Sequence, residues 1–336
     1  MSEKNYSTDV VIIGAGPSGL FAVFECGMLK MQSHVIDSLE EIGGQCTALY
    51  PEKPIYDIPA YPSIDAGELI EKLEAQAKPF NPTYHLNQHV TSVKRDGALY
   101  KVETSKGNIV ECKAVIIAAG AGAFGPNRPP LDNLEQYEGK SVFYMVKRRD
   151  DFKDKTVMIA GGGDSAVDWA ISLSEIAKKI YFVHRRDKFR AAPESVDKLR
   201  EIAKSDKLDI LTPYQLDNLI GDNGTLTAVG LKDLDGNETI IEADVLLPFY
   251  GIVPKLGAIE EWGIDIDNNH ITVDPKTQAT NLEGIFAIGD VATYPNKLKL
   301  ILTGFHEAAM AAHAIHPLVF KGENLHFVYS TTKGIS

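Results

Sequence analysis

Cysteine is scarce in this chain: three residues in 336, Cys26, Cys46 and Cys112, widely spaced, with no CxxC and no histidine partner pattern. An odd, scattered set excludes a disulfide framework and a zinc site, and it fits a reducing, cytoplasmic setting. No apolar run approaches the roughly 18 residues a membrane span needs. The first such run, residues 10–13, is cut at once by Gly14-Ala15-Gly16-Pro17 and follows Glu3, Lys4 and Asp9, so it reads as a strand and not as a leader. Positive charge is also short, with 34 Lys+Arg against 46 Asp+Glu and a net charge of −12. That balance excludes non-specific nucleic-acid binding, which needs a basic surface to replace phosphate counterions. No Ser-His-Asp or metal-ligand constellation is evident, so neither a general base nor a metal is expected.

What the chain does have is length and a motif. At about 150 residues per domain, its length suggests two domains, each able to bury a core unaided. Residues 8–20 read TDVVIIGAGPSGL: a β-branched run, then Gly14-x-Gly16-x-x-Gly19, then a helical pattern opening at Pro17 and Ser18. Gly14 permits the tight turn, Gly16 lets a pyrophosphate approach the backbone, Gly19 lets helix pack on strand, and the free N–H groups of the helix start attract phosphate. A second strand, His34-Val35-Ile36, ends in Asp37, 18 residues after Gly19, where a carboxylate can accept both hydroxyls of an adenosine ribose. This first site is expected to take FAD or NAD.

The motif repeats. Residues 156–170 read TVMIAGGGDSAVDWA, with Gly161, Gly163 and Ala166 matching Gly14, Gly16 and Gly19 at a constant offset of 147, and with Asp164 and Ser165 opening the helix. Asp37 shifted by 147 lands on His184, within Tyr181-Phe182-Val183-His184-Arg185-Arg186-Asp187-Lys188-Phe189-Arg190. The acidic ribose acceptor has become a basic cluster. A carboxylate there would repel a ribose 2′-phosphate, whereas Arg185, Arg186 and Arg190 bind it with charge-assisted hydrogen bonds. The second site is expected to take NADP.

Between the motifs, residues 85–112 hold short alternating runs separated by Asp96-Gly97 and Lys106-Gly107-Asn108, which predicts a β-meander inserted into the first domain. Residues 114–120, 245–254 and 284–290 read as further strand-and-glycine junctions, the last ending in Asp290, followed by a helix over 304–315. The expected architecture is α/β, with two Rossmann-like dinucleotide-binding domains. The first is discontinuous, 1–124 with 249–336, and the second spans 125–248.

The GAGPSG opening, Gly43-Gly44-Gln45, the GGGDSA and HRR pair and the AIGD strand together resemble the two-dinucleotide flavoprotein family of thioredoxin reductase over essentially the whole chain. That resemblance implies FAD in the first fold and NADPH in the second. The redox-active CxxC that thioredoxin reductases carry before the second glycine motif is missing: residues 144–148 are Tyr-Met-Val-Lys-Arg, and no cysteine follows Cys112. The chain is therefore similar to the ferredoxin–NADP reductases of thioredoxin-reductase type, which lack the pair and add a C-terminal tail.

The resemblance implies hydride transfer from NADPH to FAD, then single electrons to ferredoxin or flavodoxin, in a homodimer. It implies that Tyr50 stacks on one face of the flavin ring and Tyr329 covers the other, where the family commonly has histidine. Gln45, Val90, Phe124, Asp290 and Thr331 complete the implied FAD contacts. Lys147, Arg148, Arg149, Lys153, Lys155, Lys297 and Lys299 are candidates for docking an acidic acceptor. Rival readings are a general NADPH diaphorase or flavin reductase, a disulfide reductase working through Cys46, and a non-catalytic NADPH-sensing flavoprotein.

Overall fold

The computed structural model describes residues 4–120, 122, 125–253 and 255–322, with the backbone alone at 125, 126, 252 and 253. Phe124, Tyr329 and Thr331 lie outside the described residues. The chain forms two compact units, residues 1–124 with 254–336, and residues 125–253. The second unit runs past 248 because Ile252–Val253 pairs antiparallel with Gly125–Pro126, which keeps the return strand in that unit.

The first unit is built on a five-stranded parallel sheet in the order Ile285–Ala287, Ala114–Ile117, Val10–Ile13, Ser33–Ile36, Thr83–His85. Its central strand explains its own composition. Val10 and Ile12 face a layer containing Ala22, Val23, Ala308, Ala311, Ala312 and Ile315 from the helices Pro17–Met28 and Ile301–Val319. Val11 and Ile13 face the opposite way, onto Val102, Val110 and Ile271. A strand covered on both faces cannot alternate apolar with polar, hence the unbroken VVII. Alanines on the long helix let it approach the first helix closely.

Over the second face lies a four-stranded sheet. Val90–Asp96, Leu99–Thr104 and Ile109–Cys112 are antiparallel neighbours, turning at Gly97 (φ +61°) and Gly107 (φ +77°). A fourth strand, Asn5–Ser7, pairs parallel with Ile109–Cys112, an addition that its three polar residues did not signal.

The second unit repeats the plan. Leu208–Leu211, Lys179–Val183, Thr156–Gly161 and Val245–Phe249 form a four-stranded parallel sheet. The helix Asp164–Ser174 follows its glycine turn, and the antiparallel strands Tyr214–Asp222, Thr225–Asp233 and Glu238–Glu242 form a separate sheet.

Candidate functional site: two glycine turns at strand ends

In the first unit, successive strands leave Val10–Ile13 toward opposite edges of the sheet, and the crevice beyond such a switch point is where parallel α/β sheets bind ligands. The glycine turn sits there. Gly14 has φ +114°, and a Cβ on it would stand 2.3 Å from the Ala118 carbonyl oxygen, so only glycine fits between the two strand ends. A Cβ on Gly19 would stand 2.0 Å from the Gly14 carbonyl oxygen, which fixes the close seat of the helix on the turn. Gly16 meets nothing within 4 Å of that position. Its exposed face leaves room for a phosphate group, and as the N-cap of Pro17–Met28 it stands at the positive end of the helix dipole. Pro17 occupies the first helical turn, where its missing N–H costs nothing.

Segments remote in sequence converge on this turn. The Gly43 N–H donates to the Ala15 carbonyl at 2.9 Å, and a Cβ on Gly44 would lie 3.1 Å from Gly16 Cα, so Gly43-Gly44 rests directly on the turn. Gln45 opens the short helix Gln45–Ala48, its Nε2 3.5 Å from where a Gly120 Cβ would stand. Ser18 packs against Gly289 and Gly304, at distances that a Cβ at either glycine would violate. Asp290 is exposed on the three-residue turn Gly289–Val291.

Asp37 is 9% exposed, and its carboxylate is engaged from within: Oδ2 accepts the Ala15 N–H at 2.6 Å and Oδ1 the Leu39 N–H at 2.8 Å. Burial pushes its pKa up, opposed by these backbone donors. The carboxylate thereby ties the glycine turn to the end of the second strand, and each oxygen retains a lone pair for a ribose hydroxyl. Val90 is 6% exposed within the core that holds Ile13 and Ile36.

Tyr50 is half-buried against the cluster of Leu20, Cys46 and Leu69, and it shares a hydrogen bond with the Cys46 thiol. Burial raises the pKa of both, Cys46 to about 11. A thiol held in this way carries little thiolate, the form that attacks a disulfide. Cys26 and Cys112 are buried as well, each pushed by desolvation to about 12.

The second unit carries the matching turn. Gly161 is enclosed, a Cβ there lying 2.6 Å from the Phe249 carbonyl oxygen, whereas Gly163 is open like Gly16. The His184 ring covers Gly162. Arg185, Arg186 and Arg190 are exposed around it, and burial together with the three guanidinium groups lowers the His184 pKa. The loop folds back onto the turn: the Arg190 N–H donates to the Gly162 carbonyl at 2.6 Å, and the Ala192 N–H to Asp164 Oδ1 at 2.9 Å. Asp164 therefore anchors the arginine loop, while Ser165 is exposed at the helix start.

Two of the basic docking candidates are committed elsewhere. Lys297 is buried in an ion pair with Glu307, and Arg149 bonds Glu175 at 2.7 Å and the Ser172 carbonyl at 2.8 Å. The acidic partner of Lys297 lies ten positions on, inside the helix Ile301–Val319, with no local sequence signal to link the two. Lys147, Arg148, Lys153, Lys155 and Lys299 are exposed.

Two parallel sheets, each with an open glycine turn at its carboxyl edge, one beside a buried carboxylate and the other beside a basic cluster, have the form of two dinucleotide-binding folds. The chain belongs to the pyridine nucleotide-disulphide oxidoreductase family, which it matches over residues 8–313. It is 60% identical to a ferredoxin–NADP reductase of Rickettsia akari over 98% of both chains, and 58% identical to that of Rickettsia bellii over 98% of this chain and 99% of the other. Its fold is similar to the crystal structure of Lactococcus lactis thioredoxin reductase in the FR conformation, with a TM-score of 0.81 and 26% identity over 94% of this chain and 99% of that one.

Proposed function

We propose that this chain is an FAD-dependent ferredoxin–NADP reductase, carrying electrons between NADPH and ferredoxin or flavodoxin. The observation that carries the reading is the 60% identity across 98% of both chains to a protein of that name. The geometry supports it through two turns whose open glycines, Gly16 and Gly163, leave space at the N-termini of helices.

FAD, when bound, supplies the conversion between a two-electron hydride donor and a one-electron acceptor. The protein's part is to bind and orient. Gly14 and Pro17 shape the turn and the helix start, Gly16, Ser18 and Gly19 present backbone N–H groups to the FAD pyrophosphate, and Asp37 takes the adenosine ribose. Gln45, Tyr50 and Asp290 serve the flavin end, with Val90 beneath the adenine. Gly161, Gly163, Asp164 and Ser165 shape the NADPH pyrophosphate site, and His184, Arg185, Arg186 and Arg190 receive the 2′-phosphate.

The absence of any CxxC from the sequence and the burial of all three thiols support one-electron export over disulfide reduction. We place the protein in the cytoplasm, consistent with its free thiols and with the lack, among the described residues, of a helix long and apolar enough to cross a membrane. A homodimer is supported by exposed leucines, Leu298, Leu300 and Leu302, at 64%, 37% and 43%, on a stretch that a partner surface can cover.

Anaerobic addition of NADPH should bleach the bound flavin, and subsequent ferredoxin should restore its absorbance over many turnovers. Reduction of thioredoxin with none of ferredoxin or flavodoxin would overturn the assignment. Comparable rates with free flavin and with ferredoxin would favour a general diaphorase.

A further inference from the structure

Glu307 lies in the middle of the helix Ile301–Val319 with no solvent exposure. Its Oε2 accepts the Gly289 N–H at 2.7 Å, and its Oε1 accepts the Tyr294 hydroxyl at 2.7 Å. Lys297 Nζ stands 2.6 and 2.8 Å from the two carboxylate oxygens, and it also donates to the Gly289 carbonyl at 2.6 Å. Both backbone polar groups of Gly289, in the two successive peptide units that flank its Cα, are thus held by charged side chains, one from a helix and one from a loop.

An ion pair taken out of water is not an economical way to attach a helix to a sheet. Burial costs each charge its hydration, and well-packed apolar residues of similar volume usually serve as well. What an apolar pair cannot do is hold a backbone amide and a backbone carbonyl in one fixed orientation. Gly289 needs that hold: it has φ +71°, follows the strand Ile285–Ala287, and opens the short turn on which Asp290 is exposed. On its other side the turn is limited by Ser18, whose Oγ would be 2.9 Å from a Cβ at Gly289. The turn is therefore wedged between the first residues of the nucleotide-binding helix and the Glu307–Lys297 pair. Asp290 is near enough to Cys46, Tyr50 and Lys297 to influence the charge state of each.

We infer that Lys297 and Glu307 are positioning residues for the flavin, locking the Gly289 peptide groups so that Asp290 is presented to the FAD in one fixed orientation. The inference rests on the FAD reading above. It assigns to a buried ion pair, rather than to further contacts with the cofactor, the task of pre-organising the flavin end of the site.

The test uses the full-length protein stripped of FAD and titrated back by quenching of flavin fluorescence, together with the midpoint potential of the reconstituted holoprotein. Glu307→Gln and Lys297→Met should each raise the FAD Kd at least tenfold and shift the flavin absorption bands and potential, while the far-UV spectrum and the affinity for NADP+ stay at wild-type values. Tyr294→Phe, which leaves the ion pair in place, should change the FAD Kd less than threefold. Each single substitution leaves a buried charge without its partner, so either can fail to fold. The double variant Lys297→Met with Glu307→Leu removes both charges, and it should fold yet bind FAD at least tenfold more weakly. Wild-type FAD affinity and potential in the folded variants would overturn the inference alone. A wild-type chain that binds no FAD would overturn the functional reading beneath it.

Discussion

The imidazole of His184 fills the space that a side chain at Gly162 would need: a Cβ there would stand 2.5 Å from both Cε1 and Nε2 of the ring. The second glycine turn is thus roofed by the residue that stands where the first unit has Asp37. The same structural position ties down the turn in both units, by a carboxylate that accepts the Ala15 N–H in one and by an aromatic ring lying on the peptide in the other.

Gly162→Ala should therefore displace His184 and disturb the arginine loop bonded to the same peptide. We expect KM for NADPH to rise about tenfold or more, with kcat and FAD content little changed. Steady-state kinetics and flavin absorbance measure this, and an unaltered KM would contradict the roofing role.

NADPH should be preferred over NADH. Each lost charge-assisted bond to the 2′-phosphate costs on the order of 1.5–3 kcal/mol, so Arg185→Ala should reduce the preference about ten- to hundredfold. The loss should fall on KM. Equal kcat/KM for both nucleotides in the wild-type protein would refute the assignment of the basic cluster.

Cys46→Ala should retain full NADPH-dependent turnover. Because burial lifts the Cys46 thiol to about 11, the thiolate is present above that pH and nearly absent below it. At pH 8 it amounts to about one part in a thousand. Alkylation of this residue, followed by mass spectrometry, should be slow at pH 8 and accelerate toward pH 11. Rapid modification at neutral pH, or loss of turnover in the alanine variant, would restore the case for thiol chemistry.

Ferredoxin reduction should slow as salt rises, while reduction of a small neutral dye changes little. With a net charge of −12, the protein can attract an acidic carrier only through a local patch. Within the second unit Lys147, Arg148, Lys153 and Lys155 are exposed. Neutralising Lys297 instead should act through the flavin site. Salt-independent ferredoxin kinetics would exclude electrostatic docking.

The glycine turns could be read from the sequence because their constraints are local: a strand, three small residues at fixed spacing and a helix start must follow one another directly. The offset of 147 carried the comparison to His184 without any structure. Asp37 was found for the same reason, although its inward bonds to Ala15 and Leu39 were not anticipated. The Lys297–Glu307 pair was invisible because neither residue has a local pattern that announces burial. Lys297 sits among loop residues, and Glu307 interrupts an otherwise apolar helix as a surface residue would. Only the long-range seating of that helix against Gly289 gives the two residues a common environment. Likewise, the pairing of Asn5–Ser7 with Ile109–Cys112 depends on a neighbour about a hundred residues away, and three polar-to-aromatic residues carry no periodicity to reveal it.

The strand Ile285–Ala287 and the helix Ile301–Val319 complete a sheet begun by Val10–Ile13. A ribosome making this chain therefore releases every segment of the second unit before it releases the strand and helix that close the first. The nascent first half must wait, its strand Ala114–Ile117 with an unpaired edge and the apolar side of Val10 and Ile12 covered by Pro17–Met28 but not yet by Ile301–Val319, while residues 125–253 can already collapse around their own core. Cofactor capture at the first glycine turn is consequently a late event in the life of each molecule, and the unfinished edge is where a holding chaperone has something to bind.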